Sequence, residues 1–126
     1  MIPKFRAWDS WRKRMSVVDR IYIDTEGVRL YDDFGEYWRD FRDVELMQST
    51  GLKDKNGKEI FEGDIVDYKG RKALVSWHGS YASFIYRFVD ELQKRNAEWN
   101  PLCLAYMRCE VIGNIYENPE LWEVNG

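Results

Sequence analysis

The sequence predicts an α+β domain, predominantly antiparallel β, with a small SH3-like barrel portion and one or two short helices. Three observations predict it. The run Leu46 to Val66 sets turn signals at Gly51, Asn56-Gly57 and Glu62-Gly63-Asp64 between short apolar stretches. Phe5 to Asp9 and Cys109 to Tyr116 alternate apolar and polar residues with the period of a half-buried strand. Ile85, Phe88, Val89 and Leu92 recur instead at helical spacing, with Asp90, Glu91, Gln93, Lys94 and Arg95 among them.

Taken in order, Phe5 to Asp9 reads as a strand ending at Ser10. Arg12-Lys13-Arg14 follows as a solvated turn between two hairpin strands. A phosphate-binding patch is the competing reading of these three cations, disfavoured because Asp9 and Asp19 flank them. Val17 to Ile23 and Val28 to Tyr31 form a second hairpin bending at Glu26-Gly27. Tyr37, Trp38, Phe41 and Val44 fall three and four apart, which predicts one or two helical turns, and the 32–43 stretch could join two lobes. Val44 to Gln48 is the next strand.

Asn56-Gly57 predicts a type I′ turn, since that turn needs positive φ at both central residues, and Ile60-Phe61 then returns antiparallel. A Gly63-Asp64 corner feeds Ile65 to Tyr68, Lys69-Gly70-Arg71 bends, and Ala73 to Trp77 follows; this order matches the start of small SH3-like barrels by analogy alone. Tyr81 to Ile85 adds a strand, and a helix is expected over Tyr86 to Ala97, stopped near Asn100-Pro101. Cys109 to Tyr116 reads as a strand, with Gly113 at a bulge or a close backbone contact. Asn118-Pro119 starts a last turn, Asn as cap and Pro at its first position.

A chain of 126 residues, 44% hydrophobic, can bury one core, so a single domain over 1–126 is expected, with 1–45 and 46–126 as its lobes if it divides. The net charge of -3 removes the overall basic footprint of most nucleic-acid binders, and neither half is a basic arm or an acidic tail. Cys103 and Cys109 are the only cysteines, too few for a disulfide scaffold or a structural zinc site, and five residues separate them; both are expected as buried small hydrophobes in a reducing interior. With no apolar leader or membrane-length run, a soluble, cytoplasmic protein is expected.

Ile2 to Asp9, Leu46 to Val66, and Val111-Ile112-Gly113-Asn114-Ile115-Tyr116-Glu117-Asn118-Pro119-Glu120-Leu121 resemble the three signature blocks of the YopX family, covering about 40 of the 126 residues. The resemblance implies a small protein carried by bacteriophages and prophages, with a mixed α and β fold that includes a barrel-like part, working inside a bacterial host. It supplies no catalytic residues to carry over. Ser80 to Arg108 departs from the blocks, and no family surface is carried across it.

Candidate chemistry is sparse. His78 is the only histidine and lies beside Gly79 without a nucleophile motif, which favours a turn histidine over a catalytic one. Glu62 and Asp64, two apart, could share a strand face as an acid/base pair, but a polar turn with Asp64 binding nearby amides is the stronger reading. Asp54, Asn56, Gly57 and Glu59 are fragments of a calcium loop at the wrong spacing, which leaves a hairpin turn. No metal, cofactor or catalysis is expected.

The residual signal is aromatic, since six Trp and eight Tyr exceed what a core of this size readily encloses. Trp11, Trp38, Trp99 and Trp122 lie in or beside expected turns or helix ends, where they either cover barrel ends or form an interaction surface. The first expectation is therefore a non-enzymatic, self-associating or protein-binding accessory factor. The second is a nucleic-acid-binding factor, with Trp77, Tyr81 and Phe84 stacking bases above a basic strip of Lys69, Arg71 and Lys72.

Overall fold

The computed structural model describes residues 4–95 and 97–123. Ile2 and Pro3 of the first signature block, and Asn96 of the expected helix, lie outside them. The chain folds into two compact units divided between Ser49 and Thr50. Both are predominantly antiparallel β, and among the described residues the only helical elements are single 3-10 turns. Among the described residues no helix is long and apolar enough to cross a membrane.

The first unit is a meander of β1 (Phe5–Asp9), β2 (Arg14–Tyr22), β3 (Gly27–Asp32), β4 (Gly35–Asp40) and the start of β5 (Val44–Lys53), ordered β4-β3-β2-β1-β5. Its hairpins follow from local turn chemistry. Asp9 Oδ1 accepts the amides of Trp11 and Arg12, closing the first turn. Asp32 Oδ1 accepts the amide of Phe34, and Gly35 takes φ +122°, closing the third. The helical turns expected at 37–44 are replaced by β4 and a 3-10 turn at Phe41–Asp43, because Leu30, Tyr31 and Asp32 pair with Tyr37, Glu36 and Gly35. One sheet face buries Ala7, Val28, Leu30 and Val44, packed by Val18, Ile21, Tyr37, Phe41 and Leu46.

In the second unit the end of β5 runs alongside β6 (Glu59–Phe61), and a five-stranded sheet follows in the order β10-β9-β8-β7-β11. Its strands are β7 (Asp64–Tyr68), β8 (Arg71–His78), β9 (Ser83–Phe88), β10 (Asn100–Pro101) and β11 (Cys109–Asn114). Strand pairing leaves this sheet open, so the expected SH3-like barrel is not formed. The expected helix at 86–97 gives way to β9, whose Ile85, Tyr86, Arg87 and Phe88 pair with Ser76, Val75, Leu74 and Ala73, and to a 3-10 turn at Val89–Glu91. Tertiary pairing overrides a spacing that would have suited a helix.

The type I′ signature lies at a different hairpin from the expected one. Lys69 (φ 53°) and Gly70 (φ 84°) both take positive φ between β7 and β8, whereas at Asn56-Gly57 only the glycine does. The core collects Ile60, Val66, Ala73, Val75, Tyr86, Leu102, Ala105 and Cys109.

Gly113 serves both expected purposes. The register shifts between Val111 and Gly113, and a Cβ there would lie 2.5 Å from Asn118 Oδ1 and 2.8 Å from Leu121 Cδ1. Asn118 uses that oxygen to accept the amide of Asn114 instead of capping the Pro119–Leu121 turn. Gly113→Ala is therefore expected to destabilise by about 2 kcal/mol, read from a denaturant midpoint shift at unchanged slope. A shift under about 0.5 kcal/mol would show that the Asn118 loop yields freely.

Candidate functional site

Antiparallel register decides which side chains share a face, since residues directly opposite each other point the same way. On the face of the first sheet away from its core, Arg6, Val17, Tyr31 and Glu36 form one row across β1, β2, β3 and β4. Arg20, Arg29 and Trp38 form the next, and Tyr22, Gly27 and Asp40 the one beyond. A shift between Val18 and Arg20 absorbs Asp19, which keeps Arg20 on this face. Trp38 leans across Gly27 onto Tyr22, with ring centroids 5.4 Å apart. A Cβ on Gly27 would stand 1.9 Å from the indole. Its N–H donates to Asp40 Oδ1. Val17 (38%), Tyr31 (42%) and Trp38 (38%) stay substantially exposed.

The opposite face ends in a polar cluster. Asp9 is fully buried, and its Oδ2 stands 3.2 Å from Arg39 Nε. Burial alone would raise the Asp9 carboxyl, but the amides of Arg12 and Trp11 and the Arg39 guanidinium outweigh it and hold it below its ordinary value. Tyr37 shares a 2.6 Å hydroxyl hydrogen bond with Ser16, and the guanidinium carbons of Arg12 and Arg39 lie 4.2 and 4.8 Å from its ring centroid. Burial raises the Tyr37 phenol; the Ser16 bond opposes this, and the charges of Asp9 and Asp32 add to it.

Beyond this cluster the β1–β2 and β3–β4 turns meet at one end of the sheet. Arg14 stacks over Phe34 at 4.5 Å, and Arg12 and Arg14 flank Asp32 Oδ2 at 3.6 and 3.7 Å. Trp11 and Phe34 are 71% and 76% exposed. Sequence reasoning named Trp11 and the three cations but missed Phe34 and Arg39, which strand register alone brings to them.

The other expected residues disperse. Trp38 lies in a strand, not at a helix end. Trp122 is partly exposed and donates its indole N–H to Ile115 O. Trp99 packs against His78 and Tyr81 at 5.1 and 4.9 Å, and those two rings are 4.8 Å apart. His78 Nδ1 is buried in this cluster without a hydrogen-bond partner.

The strip proposed over β7 to β9 does not form as one surface. Lys69, Arg71 and Lys72 lie at one end of β8, and Trp77, Phe84 and Tyr81 at the other, roughly 20 Å away at the strand rise. Strand alternation also puts Lys72 on the face opposite Arg71 and Trp77. Arg71 stacks on Phe88 and pairs with Asp90 and Glu91, while Trp77 and Phe84 meet edge to face at 4.9 Å.

Glu62 precedes the Gly63 corner (φ 87°), so the two-residue strand spacing to Asp64 does not apply. The Asp64 carboxylate is buried and accepts the amide of Phe61. Asp54 likewise accepts backbone amides, from Asn56 and Lys58 across its own turn and from Val111 on β11. Burial would raise its carboxyl, but these three amides and the Lys58 charge hold it low. Cys109 is buried, with its thiol on Ala105 O, and burial followed by the charges of Asp54 and Asp67 pushes it up to about 11. Cys103 is exposed, contrary to expectation. Among the described residues no three His, Cys, Asp or Glu side chains gather as a metal set.

No curated protein matches this sequence. A solved structure titled "Crystal structure of protein EF1440 from Enterococcus faecalis" is similar at 32% identity and a TM-score of 0.62, over 98% of this chain and 99% of that one. The YopX protein family matches residues 4–123, nearly the whole chain. That match, together with the three blocks seen in the sequence, places this chain in the YopX family.

Proposed function

We propose that this protein is a non-enzymatic accessory factor of a bacteriophage or prophage, acting in the cytoplasm of the bacterial host by associating with a second copy of itself. The half-exposed face of the first sheet carries this reading. Val17, Tyr31, Trp38 and Tyr22 form an apolar and aromatic centre of the kind that anchors protein interfaces. Around them the signs alternate, with Arg29 3.6 Å from Glu36 and Arg20 3.8 Å from Asp19. A patch holding both signs is self-complementary, because a two-fold axis can set Arg29 of one copy against Glu36 of the other.

The absence of a catalytic step in this reading is supported by the ring-packed His78 and by Asp64 and Asp54, whose carboxylates serve backbone amides. Light scattering over a concentration series tests the reading. A fixed multiple of the monomer mass is expected, with Val17→Glu and Tyr31→Glu each weakening association roughly 10- to 30-fold. A monomer at every concentration, or an oligomer indifferent to both substitutions, would remove this face from the interface.

A further inference from the structure

We infer that the corner formed by the β1–β2 and β3–β4 turns is a binding site for single-stranded nucleic acid, with Trp11 and Phe34 stacking on bases and Arg12, Lys13 and Arg14 contacting phosphates. The site is built independently of the self-association face, and it is not the strip over β7 to β9.

Two acids counted against a phosphate site when only the sequence was considered, and the structure accounts for both. Asp9 is fully buried on the inner face, where its carboxylate serves the turn amides and Arg39. Asp19 sits in the β2 bulge beside Arg20. Neither neutralises the exposed side of the turn, and Asp33 is the exposed acid that shares the corner.

The arginines are held in place by ring stacking and a shared carboxylate. Arg12 lies over Tyr37 and Arg14 over Phe34, so stacking fixes the guanidinium planes in a geometry suited to a bidentate acceptor. Asp32 Oδ2 lies between them at ion-pair distance, yet it accepts no hydrogen bond from either. Lys13 adds a third, exposed cation at φ 55°, fixed by its amide hydrogen bond to Asp9 O.

The aromatics decide the class of ligand. Trp11 and Phe34 are among the most exposed large side chains of the first unit, and both flank the cations. An inorganic anion has no use for two open rings, and a duplex hides its base faces. A flexible polynucleotide satisfies both features, with phosphates on the cations and bases on the rings.

The test is fluorescence anisotropy of a short labelled oligothymidylate with the full chain across a salt series. Binding is expected at low salt, with log K falling by roughly 2 per decade of salt for three phosphate contacts. Trp11→Ala should weaken it roughly tenfold through lost stacking. Lys13→Gln should weaken it less and flatten the salt slope, while Lys72→Gln, the same charge change elsewhere, should leave it unaltered. Thermal melts of the three variants confirm that each is folded.

Four results overturn the assignment. One is no binding at low salt, which would leave the corner to a protein partner. Another is binding untouched by Trp11→Ala and Lys13→Gln. The third is duplex bound as tightly as single strand, and the fourth is full displacement by inorganic phosphate at equal phosphate concentration, which marks a simple anion site.

Discussion

Asp54→Ala is expected to lower the stability of the second unit by about 3–4 kcal/mol, because three amides lose a buried, charged acceptor at once. Two of those amides, Asn56 and Lys58, close the hairpin turn at 2.9 Å each. The third, Val111, lies 57 residues away on β11 at 2.8 Å. One carboxylate thus fixes a local turn and ties that turn to a distant strand. Urea unfolding should show the midpoint fall at unchanged slope.

The same residue sets a pH dependence. A carboxyl held below its ordinary value in the folded state is stabilising when ionised, so its contribution is complete above the unfolded value near 3.8 and is lost as pH falls through the lower folded value. Wild-type stability should therefore drop on acidification below about pH 4, and the drop should be shallower in Asp54→Ala. Equal acid sensitivity in the two proteins would mean that Asp54 is not the group responsible.

Arg39→Ala should cost the first unit about 3 kcal/mol, a larger effect than its place on a short strand suggests. Asp9 is fully buried, and removing the cation 3.2 Å away leaves a carboxylate supported by neutral donors alone, the two turn amides and the Tyr37 hydroxyl. The discriminating variant is the double substitution Asp9→Asn with Arg39→Ala. Asparagine keeps an acceptor for the amides of Trp11 and Arg12 but removes the charge, so the double variant should be more stable than Arg39→Ala alone. If Arg39→Ala costs under about 0.5 kcal/mol, water reaches Asp9 and the pair carries little.

The hairpins were legible in the sequence where turn chemistry is local. Lys69-Gly70 bends the chain where expected, and the β2–β3 bend falls at 23–26, just ahead of Gly27, with Glu26 and Lys69 themselves taking positive φ. The two segments misread as helical share a physical cause. In β4, Tyr37 faces the core and Trp38 the outer surface, so both faces are aromatic and the period of two is lost. In β9, adjacent Ile85 and Tyr86 are both buried, with the same result. What then decides between strand and helix is the partner strand, which no local pattern contains.

The corner site was partly legible for a related reason. Trp11 to Arg14 is a contiguous signal, but Phe34 and Arg39 reach it only through the register of three strand pairs. The flanking acids misled because a sequence shows that a charge is nearby and not which way it faces. The YopX blocks, by contrast, were visible in full, since they contain turn residues such as Gly63 and Asn118 that mark a corner by residue type alone.

The hydrogen bonds from Lys55 N to Cys109 O and from Val111 N to Asp54 Oδ2 have a consequence for how this molecule can assemble. They occupy the outer rim of β11, where an incoming chain would otherwise add itself as a further strand. The opposite rim of that sheet is β10, two residues long and ending in Pro101, which has no amide hydrogen to offer. With one rim of its larger sheet capped and the other ending in a short strand with a proline, the second unit offers little backbone for templated, open-ended growth. Copies that meet about a two-fold axis through side chains stop at a closed pair, so this sheet offers no template for a fibre.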